Sequence, residues 1–438
     1  MVRRRPAPNA GHRAYDSAVV RPRPAIPRLA AYTWSLQWPS VLLTGLTLGI
    51  LSLAPFAVKR SLGAGEAVVP LLIACWQFVW IFAPAAGPLL ARQHPQRLWR
   101  RIGILSHAPL FLIALVVVTP VGAEGRGEGT LWLFFLAMLL HYAMGIANVP
   151  HRGAMIRTNY APTVRGRMYA WMQLVTILGT ILAAKACAWL LDHDPRWLRV
   201  LFPVAGVLGL TSFLLLARIR WRRQRRQLAR PHLHEGVVAA WISAWRETAR
   251  ILREDRDFRT YEIGFMAYGV GFLASVPLLV LYAEERLALS YGQYTWATAA
   301  AFPVAQIAAM AAWGRLADRW GVVRTTAVAF LGLSAFFFSM TLVSGAAGLV
   351  VAYAIWGLAM AGVDVGWSLG PLHFAPDDQA HMYAAVHFCM VGIRSVVAPF
   401  LGFLVKSQLG FGPAFAMTGG LLVVAALVVA SIGRRRVS

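Results

Sequence analysis

Twelve apolar runs, each long enough to cross a bilayer as a helix, constrain the fold of this 438-residue chain more than any other feature. Because 58% of the residues are hydrophobic and only 14% are charged, the chain has more apolar side chains than a soluble core can bury. We therefore predict an all-α, multi-pass membrane protein. The predicted spans are 36–58, 67–90, 98–119, 130–156, 168–191, 197–217, 259–282, 292–313, 324–343, 347–371, 381–405 and 412–433.

The basic residues predict the orientation of these spans. A net charge of +24 could indicate nucleic-acid binding in a soluble protein. Here, however, the Lys and Arg residues lie mostly in the two terminal segments and in every second loop, which is the pattern of cytoplasmic segments. Seven basic residues fall on the other side: Lys59, Arg60, Arg126, Arg196, Arg199, Arg286 and Lys406. We predict cytoplasmic termini, the inner (cytoplasmic) membrane as the location, membrane lipids as partners, and no nucleic acid.

The same pattern divides the chain into five parts. Residues 1–35 are predicted to be a disordered, basic cytoplasmic tail, because their prolines prevent a helix. Residues 36–217 form a first bundle of six helices and 259–433 a second. Between them, 218–258 is a basic cytoplasmic linker with an amphipathic helix near 235–254, which suits an anionic membrane surface. Residues 434–438 are a short tail.

A short internal repeat supports two related halves. The segment 159–170 (NYAPTVRGRMYA) aligns with 373–384 (HFAPDDQAHMYA), and both join the fourth and fifth span of their half. Spans three, six, nine and twelve carry no charge in their apolar cores, which predicts that they are peripheral and that the other helices surround a central pathway.

Polar residues of the inner spans fall on single helical faces. The stripes are His141, Gly145, Asn148 and Arg152 in span four; Trp356, Met360, Asp364 and Trp367 in span ten; and Tyr383, His387 and Arg394 in span eleven. Counted from the cytoplasmic corner, Asp364 and His387 lie at about 10 Å depth and Arg394 at about 20 Å. We therefore expect Asp364 to meet His387 directly, with Arg394 reaching toward both.

Two interpretations of these charges remain open. Asp364 and Arg394 could form a structural ion pair between neighbouring helices. Alternatively, Asp364 with His387 could carry a proton while Arg394 holds an anionic group of a solute. Lys185, near the outer end of span five, is a weaker candidate because it can snorkel. Glu262, at the cytoplasmic start of span seven, reads as a helix-terminus residue.

The loop between spans eight and nine carries the most specific motif, Trp313-Gly-Arg-Leu-Ala-Asp-Arg-Trp-Gly-Val-Val-Arg324. It resembles the signature loop of the major facilitator superfamily at Gly314, Leu316, Ala317, Asp318, Arg319 and Gly321. It departs at Val322 and Val323, where a basic pair is usual. A decayed copy joins spans two and three, with Ala91 in place of the acid. The resemblance implies that this loop latches the inner gate, with Asp318 facing the start of span five near Arg165 and Arg167.

The family resemblance implies two pseudo-symmetric six-helix bundles and secondary transport by alternating access between them. The candidate solute and coupling residues are Asp364, His387, Arg394, Asn148, His141 and Trp367. We expect proton coupling and a small organic solute, an anion on the ground of Arg394. The alternatives are a passive facilitator and a non-transporting membrane sensor or assembly protein. No phosphate-binding loop, catalytic constellation, metal site or cofactor motif is evident, so we predict neither an enzyme nor a pump driven by ATP.

Overall fold

A computed structural model describes residues 28–78, 94–116, 128–143, 152, 155–156, 158–221, 237–376 and 379–434. Every regular element in these ranges is helical. Asn148, residues 1–27 and 435–438, and the side chain of Arg165 lie outside the described part of the chain.

The first half contains seven described helices. Helix α1 begins at Arg28, eight residues inside the segment that the sequence assigns to the tail, and only a two-residue turn separates it from α2. Helices α3 and α5 end where the described ranges end. The bounds are α1 Arg28–Leu51, α2 Ala54–Arg60, α3 Val68–Phe78, α4 Pro95–His107, α5 Glu128–Ala143, α6 Pro162–His193 and α7 Leu198–Leu216.

The second half follows a helix of the linker. Helix α10 passes through a π-helical turn at Trp296–Ala301, and α9 ends in another at Tyr282–Arg286. The bounds are α8 Val237–Glu254, α9 Arg256–Leu281, α10 Tyr291–Trp320, α11 Val322–Met340, α12 Ala346–Phe374, α13 Ala380–Leu409 and α14 Phe411–Arg434.

Within the described ranges, ten helices are long and apolar enough to cross a membrane. They correspond to predicted spans one, three and five to twelve. Spans two and four begin as α3 and α5 and continue into residues that are not described. The prediction of an all-α membrane protein with twelve spans in two six-helix bundles is confirmed.

Equivalent helices pack closely in the two halves. In the first half, α1 crosses α6 so tightly that a Cβ on Gly45 would fall 2.3 Å from the Thr176 carbonyl oxygen. In the second, α9 crosses α13, and a Cβ on Gly402 would fall 1.8 Å from the Ala274 oxygen. Small residues let membrane helices approach in this way, because packing replaces the hydrophobic effect there. The first helix of each half therefore packs against the fifth.

The linker helix α8 packs against the second half. Ile251 is buried in a cluster with Phe258, Tyr383 and Val386, and the Thr248 hydroxyl lies 3.9 Å from the sulfur of Cys389. The sequence predicts that the apolar face of this helix contacts a membrane surface. At Thr248 and Ile251, however, α9 and α13 cover this face. Its opposite face, with Arg250, is exposed.

Candidate transport pathway and gates

One end of the molecule is held closed by polar contacts between the halves. Lys59 Nζ lies 2.8 Å from Glu285 Oε1, and Lys406 Nζ contacts Glu66 at 2.7 Å and Glu285 at 3.1 Å. Glu285 and Lys406 belong to the second half, and Lys59 and Glu66 to the first. These four side chains form a chain of alternating charges across the boundary, at what we call the closed end.

Helix α6 reinforces the closed end by contacting the first turn of α10. The Asp192 carboxylate accepts the backbone N–H groups of Tyr291 and Gly292, both at 2.7 Å. An acid at a helix N-terminus satisfies free N–H groups and complements the helix dipole. Lys185, two turns earlier, donates to the Gly292 carbonyl at 3.1 Å and lies 4.1 Å from the ring centre of Trp296. It therefore crosses to the other half, a contact that the sequence did not indicate.

An aromatic plug lies among these contacts. The fully buried ring of Phe56, on α2, stacks on Tyr294 with ring centres 4.3 Å apart and meets the edge of Tyr291 at 5.1 Å. The Tyr291 hydroxyl also hydrogen-bonds Ser61 at 2.5 Å. The closed end is thus sealed by apolar rings as well as by charges.

Acid is expected to weaken the closed end through Glu66, which lies in the loop between α2 and α3. The hydrogen bond from Lys406 lowers the pKa of Glu66 below its ordinary value of 4.5. A carboxyl with a lowered pKa contributes stability at neutral pH and loses it as pH falls through the lowered value, which here lies below 4.5. Spin labels at Trp197 and Ser407 should move apart in that range. In Lys406→Met the distance should no longer change with pH, and an unchanged native distance at pH 3 would contradict this account.

The opposite end carries the signature loop, and we call it the motif end. Gly321 has a φ of +79°, which glycine adopts without strain, so its place at the corner between α10 and α11 is explained. Asp318 and Arg319 are exposed, and Asp318 forms no ion pair with any described residue. A Cβ on Gly314 would meet no described atom within 4 Å. Among the described residues, the predicted latch between Asp318 and α6 is therefore not engaged with the exposed Arg167.

The described polar contacts between the halves all lie at the closed end. Within the described ranges, each hydrogen bond or ion pair that joins the two halves involves a residue of the closed end.

Asp364 is paired with an amide, not with His387. Gln306 Nε2, on α10, donates to Asp364 Oδ2, on α12, at 2.7 Å. Helix α12 contacts α10 at Gly357 and α9 at Trp367, and Asp364 lies between these two contacts along the helix. Asp364 is thus held between α12 and α10, within the second half. It is partly exposed there.

His387 pairs with the residue that the sequence placed at a helix terminus. Its Nδ1 lies 2.8 Å from Glu262 Oε1, and both residues are only 2% exposed. Trp367, a predicted site residue, packs edge-on against the His387 ring at 4.4 Å. Glu262 is thus a buried partner on α9 rather than an exposed helix end. One oxygen of Glu262 and His387 Nε2 are buried without a hydrogen-bond partner in the described part of the chain.

Arg394 is enclosed between α9, α12 and α13. It is 5% exposed, donates to the Phe265 carbonyl oxygen, and lies over the rings of Tyr268 at 5.5 Å and Trp367 at 5.9 Å. It forms no ion pair with Asp364. The absence of a side chain at Gly269 provides the room for the guanidinium, because a Cβ there would fall 1.9 Å from its central carbon. The three charged residues predicted to meet thus occupy two separate clusters.

The remaining predicted residue that can be described, His141, lies in the first half. Its Nδ1 is 2.6 Å from the Ser106 carbonyl oxygen, and its ring meets that of His107 at 5.2 Å. It links α5 to α4 and contacts none of the residues around Asp364 or His387. Asn148, which shares its predicted face, lies outside the described residues.

A separate open cleft of about 540 Å³ lies where the linker helix meets the second half. Its walls are Glu254, Asp255, Arg256, Asp257, His373, Phe374 and Tyr383. Asp255 serves structural contacts there, since it caps the start of α9 at Phe258 and accepts the Tyr383 hydroxyl at 3.0 Å. The cleft belongs to one half alone and does not include Asp364.

Comparisons with known proteins agree with this architecture. The family model of the Major Facilitator Superfamily matches residues 37–390 and again 262–437. No curated protein matches the chain in sequence. Among solved structures, the chain is similar to the nucleoside transporter NupG, with a TM-score of 0.68 at 13% identity over 92% of this chain and 99% of that one.

Two further solved structures show the same likeness. A peptide transporter POT in complex with sulfate gives a TM-score of 0.69 at 14% identity, covering 92% of this chain and 94% of that one. A human organic anion transporter gives 0.63 at 14% identity, covering 91% and 99%. At such identities the likeness shows the fold alone. The family model nevertheless spans most of the sequence, so the chain belongs to the Major Facilitator Superfamily.

Proposed function

We propose that this protein is a proton-coupled secondary transporter that moves a small organic solute between its two bundles by alternating access. The observation that carries the proposal is Asp364, a partly exposed carboxylate that Gln306 holds between α10 and α12 of the second bundle. An ionisable residue within a membrane-spanning helix is costly and is a functional candidate by default.

The arrangement of the two ends supports alternating access. With the cytoplasmic termini that the basic residues predict, the closed end faces outward and the structure corresponds to an inward-facing state. Helices α6 and α10 run in opposite directions, and each carries an acid near its own C-terminal end, Asp192 and Asp318. Asp192 caps the start of α10. In the alternative state, we expect Asp318 to make the corresponding contact at the start of α6.

The second bundle offers two places for a proton. Asp364 faces Gln306 of α10 and lies within electrostatic range of Tyr268 on α9. His387 and Glu262 share a buried hydrogen bond, with Phe265, Trp367 and the charge of Arg394 nearby. Because only Asp364 is partly exposed, we assign the coupling proton to Asp364 and a supporting role to the buried pair.

An anionic solute receives less support from this geometry. Arg394, on which that prediction rests, is almost fully covered and is already occupied by a carbonyl oxygen and two aromatic faces. An anion could reach the guanidinium only if these contacts separated.

Proton movement in proteoliposomes tests the proposal. With an imposed pH gradient and an internal pH-sensitive dye, solutes of each charge class are added to the native protein and to Asp364→Asn. We expect one class to drive proton flux in the native protein, and the variant to lose flux and uphill accumulation while still exchanging solute. The surface variant Glu254→Gln, which removes a carboxylate outside the pathway, should behave like the native protein.

The other readings predict different results. A passive facilitator would equilibrate solute at a rate that ignores the pH gradient, and a sensor or assembly protein would move none. Native flux in Asp364→Asn would show that this carboxyl is not the coupling group.

A further inference from the structure

The wall around Asp364 combines an acid with aromatic rings. On α10, Phe302 lies one turn from Gln306; on α12, Trp356 and Met360 share the face of Asp364. The ring centres of Phe302 and Trp356 are 4.7 Å apart, and Phe272 of α9 meets Trp356 at 5.7 Å. The six residues that line this part of the wall are all partly exposed: Phe272, Phe302, Gln306, Trp356, Met360 and Asp364.

The polar atoms of this wall are chiefly hydrogen-bond acceptors. Gln306 uses its amide N–H on Asp364 Oδ2, which leaves the Gln306 carbonyl oxygen and Asp364 Oδ1 without a partner among the described residues. No Lys, Arg or His side chain of the described chain lies within ion-pair distance of Asp364. An ionised carboxylate in this position has no cationic partner among the described residues, and a solute can supply one.

The aromatic rings favour the same kind of solute. A cation near the faces of Trp and Phe is attracted by their quadrupoles, and an apolar body packs against the same rings. The guanidinium of Arg394 is held by the Phe265 carbonyl oxygen and the rings of Tyr268 and Trp367, and it forms no ion pair with Asp364. Charge and shape therefore both select against an anion at this wall.

We propose that the solute is an amphipathic organic cation, a protonated amine or onium group attached to an apolar or aromatic body. Its charged group binds Asp364 Oδ1 and the Gln306 carbonyl, and its body packs against Phe302, Trp356 and Phe272. This assignment rests on the proposed transport function. Because the same carboxylate takes either the cation or a proton, it also favours exchange of one for the other.

Equilibrium dialysis of the purified full-length protein in detergent tests the charge of the solute at pH 7.5. Two matched probe sets are used. The first is tryptamine, tryptophol and indole-3-propionate, which share a body and differ in charge. The second is methyltriphenylphosphonium, triphenylmethanol and triphenylacetate. We expect the cation of at least one set to bind at least tenfold more tightly than its neutral and anionic partners.

Variants locate the site. Asp364→Asn should remove the tenfold preference for the cation, whereas Glu254→Gln should keep it. Tighter binding of an anion, a cation preference that survives Asp364→Asn, or no binding by any probe would each overturn the proposal. Probe binding to the native protein alone shows which charge is preferred, even if the variant does not fold.

Transport assays separate this inference from the proposed function. If cations bind at Asp364 but drive no proton flux in proteoliposomes, proton coupling fails and the cation site stands. If an anion drives proton flux, transport stands and the cation site fails.

Discussion

Reversing the charge of Glu285 is expected to open the closed end. Glu285 receives Lys59 from the other half and Lys406 from its own, with side chains only 11 to 21% exposed. In Glu285→Lys, three lysines would face each other. Losing the pair and adding repulsion should shift the balance between conformations by on the order of 2 kcal/mol, about 30-fold, toward the state that is open at this end.

Spin-label distances can measure this shift without knowledge of the solute. In a background lacking the three cysteines, labels at Trp197 and Ser407 report the closed end, and labels at Arg218 and Arg324 report the motif end. In Glu285→Lys, the first distance should lengthen and the second shorten. The double variant Lys59→Glu with Glu285→Lys should restore much of the native distribution, because it re-forms the pair between the halves. Equal distributions in all three proteins would show that these charges do not hold the closed end.

Gly402→Ala is expected to be the most damaging of the single-methyl substitutions in the second half. The added carbon would fall 1.8 Å from a backbone oxygen of α9, so α9 and α13 must separate. Overpacking of this kind costs about 1 to 3 kcal/mol or more, and the unfolding temperature should fall by roughly 5 °C or more. Thermal unfolding of the purified protein in detergent measures the loss.

Gly314→Ala is the matched control, because a methyl group there meets open space. It should leave the unfolding temperature within about 1 °C of the native value, although Gly314 belongs to the signature loop and Gly402 does not. The reverse order of effects would mean that the packing of α9 against α13 is not as close as described.

Periodicity and charge were sufficient to predict the fold. The ten described spans follow from local sequence, because the length of an apolar run is a local property. The helix ends were less predictable: α1 continues eight residues into the supposed tail, where polar and apolar residues alternate without a clear boundary.

The partners within the site could not be predicted in the same way. Depth along a helix places Asp364 level with His387, but the rotation of each helix decides which neighbour a side chain meets. Asp364 faces α10, where its partner Gln306 carries no charge and so gives no signal in a search for charged residues. The position of Glu262 near a span start predicts a helix-terminus residue, yet its side chain contacts the buried His387. The angular position of Glu262 around its helix is the sequence signal that could have identified it, even though it lies near the end of a span.

The packed rings of Phe56, Tyr291 and Tyr294 also bear on energy conservation. Salt screens the charged pairs around them, but it does not admit water between packed aromatic faces. A continuous chain of water molecules through the closed end would let protons leak across the membrane without driving transport. Because the rings interrupt such a chain, we expect the closed end to block this leak at high ionic strength, even where the charged contacts have weakened.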